Sequence, residues 1–544
     1  MLNLETLAED IKKSYGRSYS EFIEFHNQLL SQITEKAQLS SAYKGRIKKI
    51  SSIEDLNELP ITPYEFIHQC LKEHGLEKVL LKKPTKYWQT SGHTGEPKKF
   101  YYGIEDVEKM MDEGSRLAFM VGIKPGDVGW NLGAGEPYLS GSVGTIIGKK
   151  FQMQIIITPM GDQKDLIKGL KQVSKADKID VIFGIPLVFL TIGEIVKDPD
   201  AFKRTVKGKI EEKLGSLKFL SKIIADIYLH GIDYKKIKET LERTKIGVLF
   251  GEPIRPHLKN IKKFFPNIKI RDGYGSTELI FGAFQLSDDP NLSVLLNWFI
   301  PEIANPEEIM KAKHDPNYKI DAIPWNKWEK GMRGELIITR PGECLPLIRY
   351  PTGDLIEVIN PAETHYLEVG NQTIRITLPS IKILGRSTDA IEFSTIEEMG
   401  IFMGAKIYNR QIQEAMARVS EHGKIKWWDL YVLPPTSEIS FTKLKFEIIP
   451  ETEIMDKEGF RDEVISKLRK ECDELDYILK SAERAYSREF INKILEIKIA
   501  HPDDYKRIEK ELERRIKQGR PMGQIKPKQI HIVKSQANKK GKLE

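Results

Sequence analysis

Thr90-Ser91-Gly92-His93-Thr94-Gly95-Glu96-Pro97-Lys98 gathers two glycines and three hydroxyl side chains into nine positions. Glycine permits positive φ and close backbone approach, so successive N–H groups in such a stretch can line a concave anion nest. The Ser and Thr hydroxyls can donate to phosphate oxygens, and Lys98 adds charge. The spacing differs from the Gly-x-x-x-x-Gly-Lys-Ser/Thr of a P-loop, which disfavours a standard P-loop NTPase. Taken alone, the segment reads equally well as a polar turn.

Around this loop the apolar pattern changes period. Upstream, Phe22, Phe25, Leu29, Leu30, Ile33 and Ala37 recur at helical spacing, and the chain up to about residue 80 reads as helical. From Lys86 to Leu384, short apolar runs alternate with helical segments and Gly- or Pro-marked turns. Gln154–Ile157, Val181–Ile185, Ile246–Phe250 and Glu335–Ile338 are such runs. The alternation predicts an α/β fold. A domain boundary is expected near Gly385, dividing the chain into residues 1–384 and 385–544. Beyond it, Trp428–Leu433 and Lys443–Ile449 read as strands. Val464, Leu468, Cys472, Leu475 and Leu479 then form one apolar stripe, and Tyr505, Ile508, Leu512 and Ile516 a second. Pro502 suits a helix start, Gly519 a helix end, and Lys528–Val533 a last strand.

A chain of 544 residues is too long for one ordinary core, which agrees with more than one domain. Its composition, 30 % charged and 40 % hydrophobic, suits a soluble globular protein. The net charge of +7, with both signs interspersed, gives no chain-wide field for nucleic acid. Lys259–Lys263 adjoins Phe264 and Phe265, but Lys534–Lys542 contains no aromatic, so a base-stacking platform is disfavoured. Met1–Lys13 carries three acids and does not read as a secretory signal. The most apolar stretch, Val181–Val196, is broken by Gly184, Pro186 and Glu194 and reads as buried core rather than a membrane span. Cys70, Cys344 and Cys472 lie far apart without metal-ligand spacing, and a reducing cytoplasm is the simple expectation.

Further short segments follow the loop in order. They are Gly251-Glu252-Pro253, Asp272-Gly273-Tyr274-Gly275-Ser276-Thr277-Glu278, Arg333-Gly334-Glu335-Leu336, Tyr350-Pro351-Thr352-Gly353-Asp354, Leu384-Gly385-Arg386 and Gly541-Lys542. The ordered set resembles the acyl-adenylate-forming superfamily of acyl-CoA synthetases, adenylation domains and luciferases, from Thr90 almost to the last residue. Leu59-Pro60-Ile61-Thr62-Pro63, the glycine-rich Gly133–Gly144 and Gly404–Met416 are most similar to the branch of phenylacetate-CoA ligases and acyl-protein synthetases. The resemblance implies a large N-terminal domain of several subdomains with a small, mobile α+β C-terminal domain. Three features depart from the pattern. His93 stands where the family usually has Thr or Ser, Thr388 and Asp389 stand where a hinge residue is usual, and a helical insert around Gly459–Gly519 lengthens the C-terminal part.

The resemblance also implies a chemistry: ATP and a carboxylic acid form an acyl-AMP and pyrophosphate, and the acyl group then passes to coenzyme A. Thr90, Ser91, Gly92, Thr94, Gly95 and Lys98 would hold the β- and γ-phosphates. Gly251, Glu252 and Pro253 would border the adenosine, with Tyr274 stacked on adenine and Asp272, Gly273, Gly275 and Ser276 shaping its pocket. Asp354 would accept the ribose hydroxyls, Arg386 would add a ribose or phosphate contact, Glu278 would help bind Mg²⁺, and Thr277 would stand beside it among the catalytic residues. Lys542, with Lys540 as the fallback, would bridge the carboxylate and α-phosphate. Each has a plain alternative: Glu278 as a helix-start acid, Tyr274 and Asp354 as turn residues, and Lys542 as a frayed basic tail. Trp130, Tyr138, Leu139, Val143, Phe183, Ile185 and Pro186 are acyl-pocket candidates, most of which read better as plain core. A protein or carrier thiol, or a deazaflavin hydroxyl adenylylated without any carboxylate, is an alternative acceptor. A homodimer is a further open expectation, and a nucleotide-binding scaffold without catalysis is the competing class.

Overall fold

The computed structural model describes residues 4–90, 97–160, 163–214, 220–251, 254–315, 318–369, 372–393, 405–435, 442–485, 491–518 and 529–533. The chain divides into two compact units. The first comprises residues 1–352, 356–382 and 520–524; the second comprises 353–355, 383–519 and 525–544. Gly353–Leu355 are thus counted with the C-terminal unit, well before residue 385.

In the first unit, β1 (Lys86–Gln89) and β2 (Lys99–Tyr102) pair as an antiparallel hairpin. β3 (Val128–Asn131), β4 (Gln154–Ile157), β5 (Val181–Gly184), β6 (Ile246–Phe250) and β7 (Lys269–Tyr274) make the parallel half of a twelve-stranded sheet, in the order β4-β3-β5-β6-β7. Every residue of β5 is buried, as expected of a central parallel strand covered on both faces. The chain then turns antiparallel. β8 (Ala283–Phe284) and β9 (Leu292–Val294) continue from β7, and β14 (Gln372–Arg386) pairs with β9. β13 (Leu347–Val369), β12 (Arg333–Arg340), β10 (Ile300–Ala304) and β11 (Ile323–Pro324) complete the order.

The N-terminal helices Leu4–Tyr15 and Tyr19–Ala37 belong to the same unit. Ser18 and Glu21 close a reciprocal capping box at the second helix. His26, fully buried on that helix, donates from Nε2 to the Leu296 carbonyl at 2.6 Å and accepts from the Trp325 indole at 2.7 Å. The Leu59–Pro63 segment is pinned to β13. The Thr62 N–H and hydroxyl meet the Arg349 and Ile348 carbonyls, and the Arg349 guanidinium donates to the Leu59 carbonyl at 2.5 Å.

In the second unit, β17 (Ile425–Leu433) and β18 (Lys443–Pro450) pair antiparallel. β19 (Leu495–Ile499) and β20 (Ile530–Ile532) flank them in parallel. Before them lies a two-stranded ladder of β15 (Ile391–Phe393) and β16 (Ala405–Ile407). Trp428, Leu430 and Val432, with Leu444, Phe446 and Ile448, alternate inward to a core shared with helices Asn409–Ala417, Lys457–Glu471 and Asp473–Ala485.

Four expectations need correction here. The stripe from Val464 to Leu479 lies on two helices, because Cys472 leaves helical dihedrals (φ −122°, ψ 87°) and restarts the winding, yet all five side chains enter one core. The Gly459–Gly519 insert is not purely helical, since it supplies β19. The stripe on helix Tyr505–Lys517 buries no residue completely. The last strand starts at Ile530, while Lys528 and Gly519 lie outside the described residues. Among the described residues no helix is long and apolar enough to cross a membrane.

Candidate nucleotide site

The five parallel strands end at one edge of the sheet, where open α/β folds bind their ligands. β6 and β7 are neighbours there, with Phe250 opposite Gly273, so Gly251 and the Tyr274–Glu278 turn leave the sheet side by side. Gly251 sits at φ +83°, a conformation side chains resist, and redirects the chain as it leaves β6. Glu252 and Pro253 lie outside the described residues.

Beyond β7 the chain makes a tight, irregular turn. Gly282 donates to the Tyr274 carbonyl at 2.9 Å, and Ile280 to the Ser276 carbonyl at 2.7 Å. A Cβ on Gly275 would stand 2.2 Å from the Ile280 carbonyl oxygen, so only glycine fits. Asp272 is held in register by Gln285, whose side-chain oxygen accepts from the Asp272 N–H at 3.1 Å and whose own N–H donates to the Asp272 carbonyl. Thr277 and Glu278 lie in a turn, so Glu278 is not the first acid of a helix. The Glu278 side chain is nevertheless buried.

Three buried side chains hold this turn from beneath. The Tyr102 hydroxyl donates to the Thr277 carbonyl at 2.5 Å, Arg340 Nε to the Glu278 carbonyl at 3.0 Å, and Trp298 Nε1 to the Leu279 carbonyl at 2.6 Å. Burial, with the Glu278 charge adding to it, pushes the Tyr102 hydroxyl pKa well above its ordinary value, so it stays a donor. Sequence reasoning missed all three. Arg340 carried the one available signal, a lone cation ending the apolar run Leu336–Ile338.

Tyr102 also ends β2, which ties the candidate phosphate hairpin to the same turn. At the hairpin's open end Thr90 N–H donates to the Lys98 carbonyl at 2.9 Å, and Lys98 N–H returns to the Thr90 hydroxyl at 3.0 Å. Lys98 Nζ lies 3.4 Å from Glu65 and over the Tyr64 ring. Ser91, Gly92, His93, Thr94 and Gly95, the loop between these stems, lie outside the described residues. Of the acyl-pocket candidates, Trp130 and Ile185 belong to the apolar core, and the Trp130 indole is spent on the Thr158 hydroxyl at 2.9 Å. Asn131, at the end of β3, organises the glycine-rich segment by bonding Gly133 N–H and the Gly141 carbonyl.

Asp354 and Arg386 belong to the second unit, where Arg386 Nε approaches Asp354 Oδ1 to 3.2 Å. Asp354 is buried and Arg386 half exposed. Lys540 and Lys542 lie outside the described residues. Among the described residues no three His, Cys, Asp or Glu side chains converge as a self-contained metal site. A single carboxylate, as at Glu278, is a hard oxygen donor that fits Mg²⁺ held jointly with phosphate oxygens.

No protein-family model matches the chain, and no curated protein matches its sequence. Solved structures do match. A 2-hydroxyisobutyryl-CoA ligase in the postadenylation state, in complex with R3-HIB-AMP, superposes with a TM-score of 0.62 at 15 % identity, covering 93 % of this chain and 94 % of that one. The fold is that of the acyl-adenylate-forming ligases. The same ligase in an open conformation with 2-HIB-AMP and CoA gives 0.54 at 16 % identity over 90 % of each chain. Its thioesterification-state complex gives 0.51 at 15 % identity over 92 % and 94 %. The likeness to these ligases runs through both units. At such identity it is one of fold, and the roles of individual residues rest on the chain's own geometry.

Proposed function

We propose that the chain activates a carboxylic acid as its acyl-AMP, releasing pyrophosphate, and transfers the acyl group to coenzyme A. The observation that carries this reading is the common sheet edge that presents Gly251 and Tyr274–Glu278 together, with the Thr90–Lys98 hairpin tied to it through Tyr102. A carboxylate oxygen attacks the α-phosphorus and the bond to the β-phosphate oxygen breaks. The thiol sulfur then attacks the acyl carbon and AMP departs.

The attacking carboxylate is already anionic, so the protein's task is to align charges and neutralise them. Thr90, Ser91, Thr94 and Lys98 would bind the β- and γ-phosphates; Lys98 would leave Glu65, a weak half-exposed pairing. Tyr274 would stack on adenine and Asp354 would accept the ribose hydroxyls through charge-assisted bonds. Thr277 and Glu278 would hold Mg²⁺, which when bound would offset triphosphate charge. Lys542 would bridge the carboxylate and the α-phosphate. Coenzyme A is favoured as acceptor because the neighbours sharing the fold are CoA ligases, two of them in complex with CoA.

ATP–pyrophosphate exchange over a panel of aryl, fatty and short carboxylic acids tests the first half-reaction, and thioester formation on adding CoA tests the second. Exchange that requires an acid is expected. ATP turnover indifferent to every acid would sink the reading, and acid-dependent exchange without CoA thioester would move the acceptor to a protein thiol.

A further inference from the structure

Thr277, Glu278 and Leu279 are consecutive, belong to no helix or strand, and have all three carbonyls captured by side-chain donors. The donors come from β2, from the segment between β9 and β10, and from the last residue of β12. Arg340 also faces the other two donors. The Arg340 guanidinium lies 5.5 Å from the Tyr102 ring centroid and 6.0 Å from that of Trp298. Arg340 is itself immobilised, since Nη1 donates to the Pro341 carbonyl at 2.9 Å.

Plain core filling would not need this arrangement. Apolar residues of similar volume would fill the space without burying a cation, and a buried charge is costly unless its hydrogen bonds are used. Here one guanidinium nitrogen is spent on the Glu278 carbonyl and a second on the Pro341 carbonyl. The turn also contains Ile280 at φ +66°, an outlier for a β-branched residue. Such a conformation persists only where its surroundings over-determine it, and it concentrates at functional sites. The strain and the three captured carbonyls point the same way: the backbone path of Thr277 and Glu278 is being fixed.

We propose that Tyr102, Arg340 and Trp298 form a cradle that positions Thr277 and Glu278 for Mg·ATP, and are positioning residues for the reaction. The inference rests on the nucleotide reading above. It adds that the geometry of the metal-binding pair is set from below by three residues that touch neither metal nor nucleotide. Tyr102, the last residue of β2, ties the pair to that hairpin strand.

The test uses Tyr102→Phe, Arg340→Met, Arg340→Lys and Trp298→Phe in the full chain. Urea unfolding reports folding, calorimetry reports Mg·ATP affinity, and a Mg²⁺ titration of pyrophosphate release separates kcat from KM. Folded Tyr102→Phe and Arg340→Met are expected to weaken Mg·ATP binding and raise the Mg²⁺ concentration for half-maximal rate about tenfold, the scale of one lost positioning bond. Arg340→Lys, which keeps one donor, should recover part of this. Folded variants with wild-type Mg²⁺ dependence and ATP affinity would overturn the cradle while leaving the nucleotide site standing. If Arg340→Met does not fold, Tyr102→Phe decides alone, because it removes only a hydroxyl. A wild-type chain that binds no Mg·ATP would overturn both readings together.

Discussion

A methyl group on Gly275 would stand 2.2 Å from the Ile280 carbonyl oxygen, and the contacting atom is backbone that cannot swing aside. Gly275→Ala should therefore displace the turn that carries Thr277 and Glu278. At least a tenfold loss of Mg·ATP affinity in calorimetry is expected, with the core of the first unit intact. Lys542 is a different case, because its role is inferred from its Gly-Lys context and not from packing. If it bridges the carboxylate and the α-phosphate, Lys542→Ala should slow acid-dependent pyrophosphate release by roughly 10²–10³-fold, the usual scale for one charge-stabilising donor. Its ATP affinity should change far less, because the nucleotide is held elsewhere. Full-rate release by that variant would return Lys542 to the frayed-tail reading.

Arg349 joins two elements that the sequence places about 290 positions apart. Its guanidinium bonds Glu302 on β10 at 3.1 Å, Asn57 at 2.7 Å and the Leu59 carbonyl, with both charged side chains at 0 % exposure. Removing one partner of a buried pair strands the other. Burial already raises the Glu302 carboxyl above its ordinary value despite Arg349. Arg349→Met should cost about 3–5 kcal/mol in urea unfolding, and Glu302→Gln in the same chain should recover part of it. This clamp shows what was legible in the chain and what was not. β5 and β6 were readable because strands buried on both faces are uninterrupted apolar runs. The Leu59–Pro63 segment was recognisable as a string, but its anchorage to β13 was not. In the same way Gly273 and Gly275 announce the turn after β7 through glycine spacing. Tyr102 and Arg340 reach that turn across 175 and 62 positions, through hydrogen bonds to carbonyls that leave no periodic trace. In the antiparallel half β12 was readable as the run Glu335–Ile338, but β8 and β9 were silent, since they are two and three residues long.

At the scale of the whole molecule, the two units have separate cores, and the fully buried His26 lies in the first. His26 in the first unit is locked as the neutral Nε2–H tautomer. Its Nε2 donates to Leu296, and its Nδ1 must keep a lone pair for the Trp325 indole. Protonating Nδ1 would bury a charge and set two N–H groups against each other, and burial pulls the His26 pKa down to about 4 from an ordinary 6.5. Between those values the unfolded chain binds a proton that the folded one refuses. Stability is therefore complete above about pH 6.5 and falls as pH drops towards 4. At about pH 5 the loss amounts to about 2 kcal/mol. Because Leu296 and Trp325 both lie in the first unit, the loss belongs to that unit alone. Urea unfolding followed by hydrogen exchange at about pH 7 and pH 5 should show the first-unit amides losing protection at lower urea in acid, with those of Trp428–Val432 in the second unit moving less. His26→Gln should remove part of the first-unit shift at the expense of stability at neutral pH, the remainder staying with His257, which burial also pulls down to about 4. An acid shift undiminished by this substitution would assign the sensitivity to other groups.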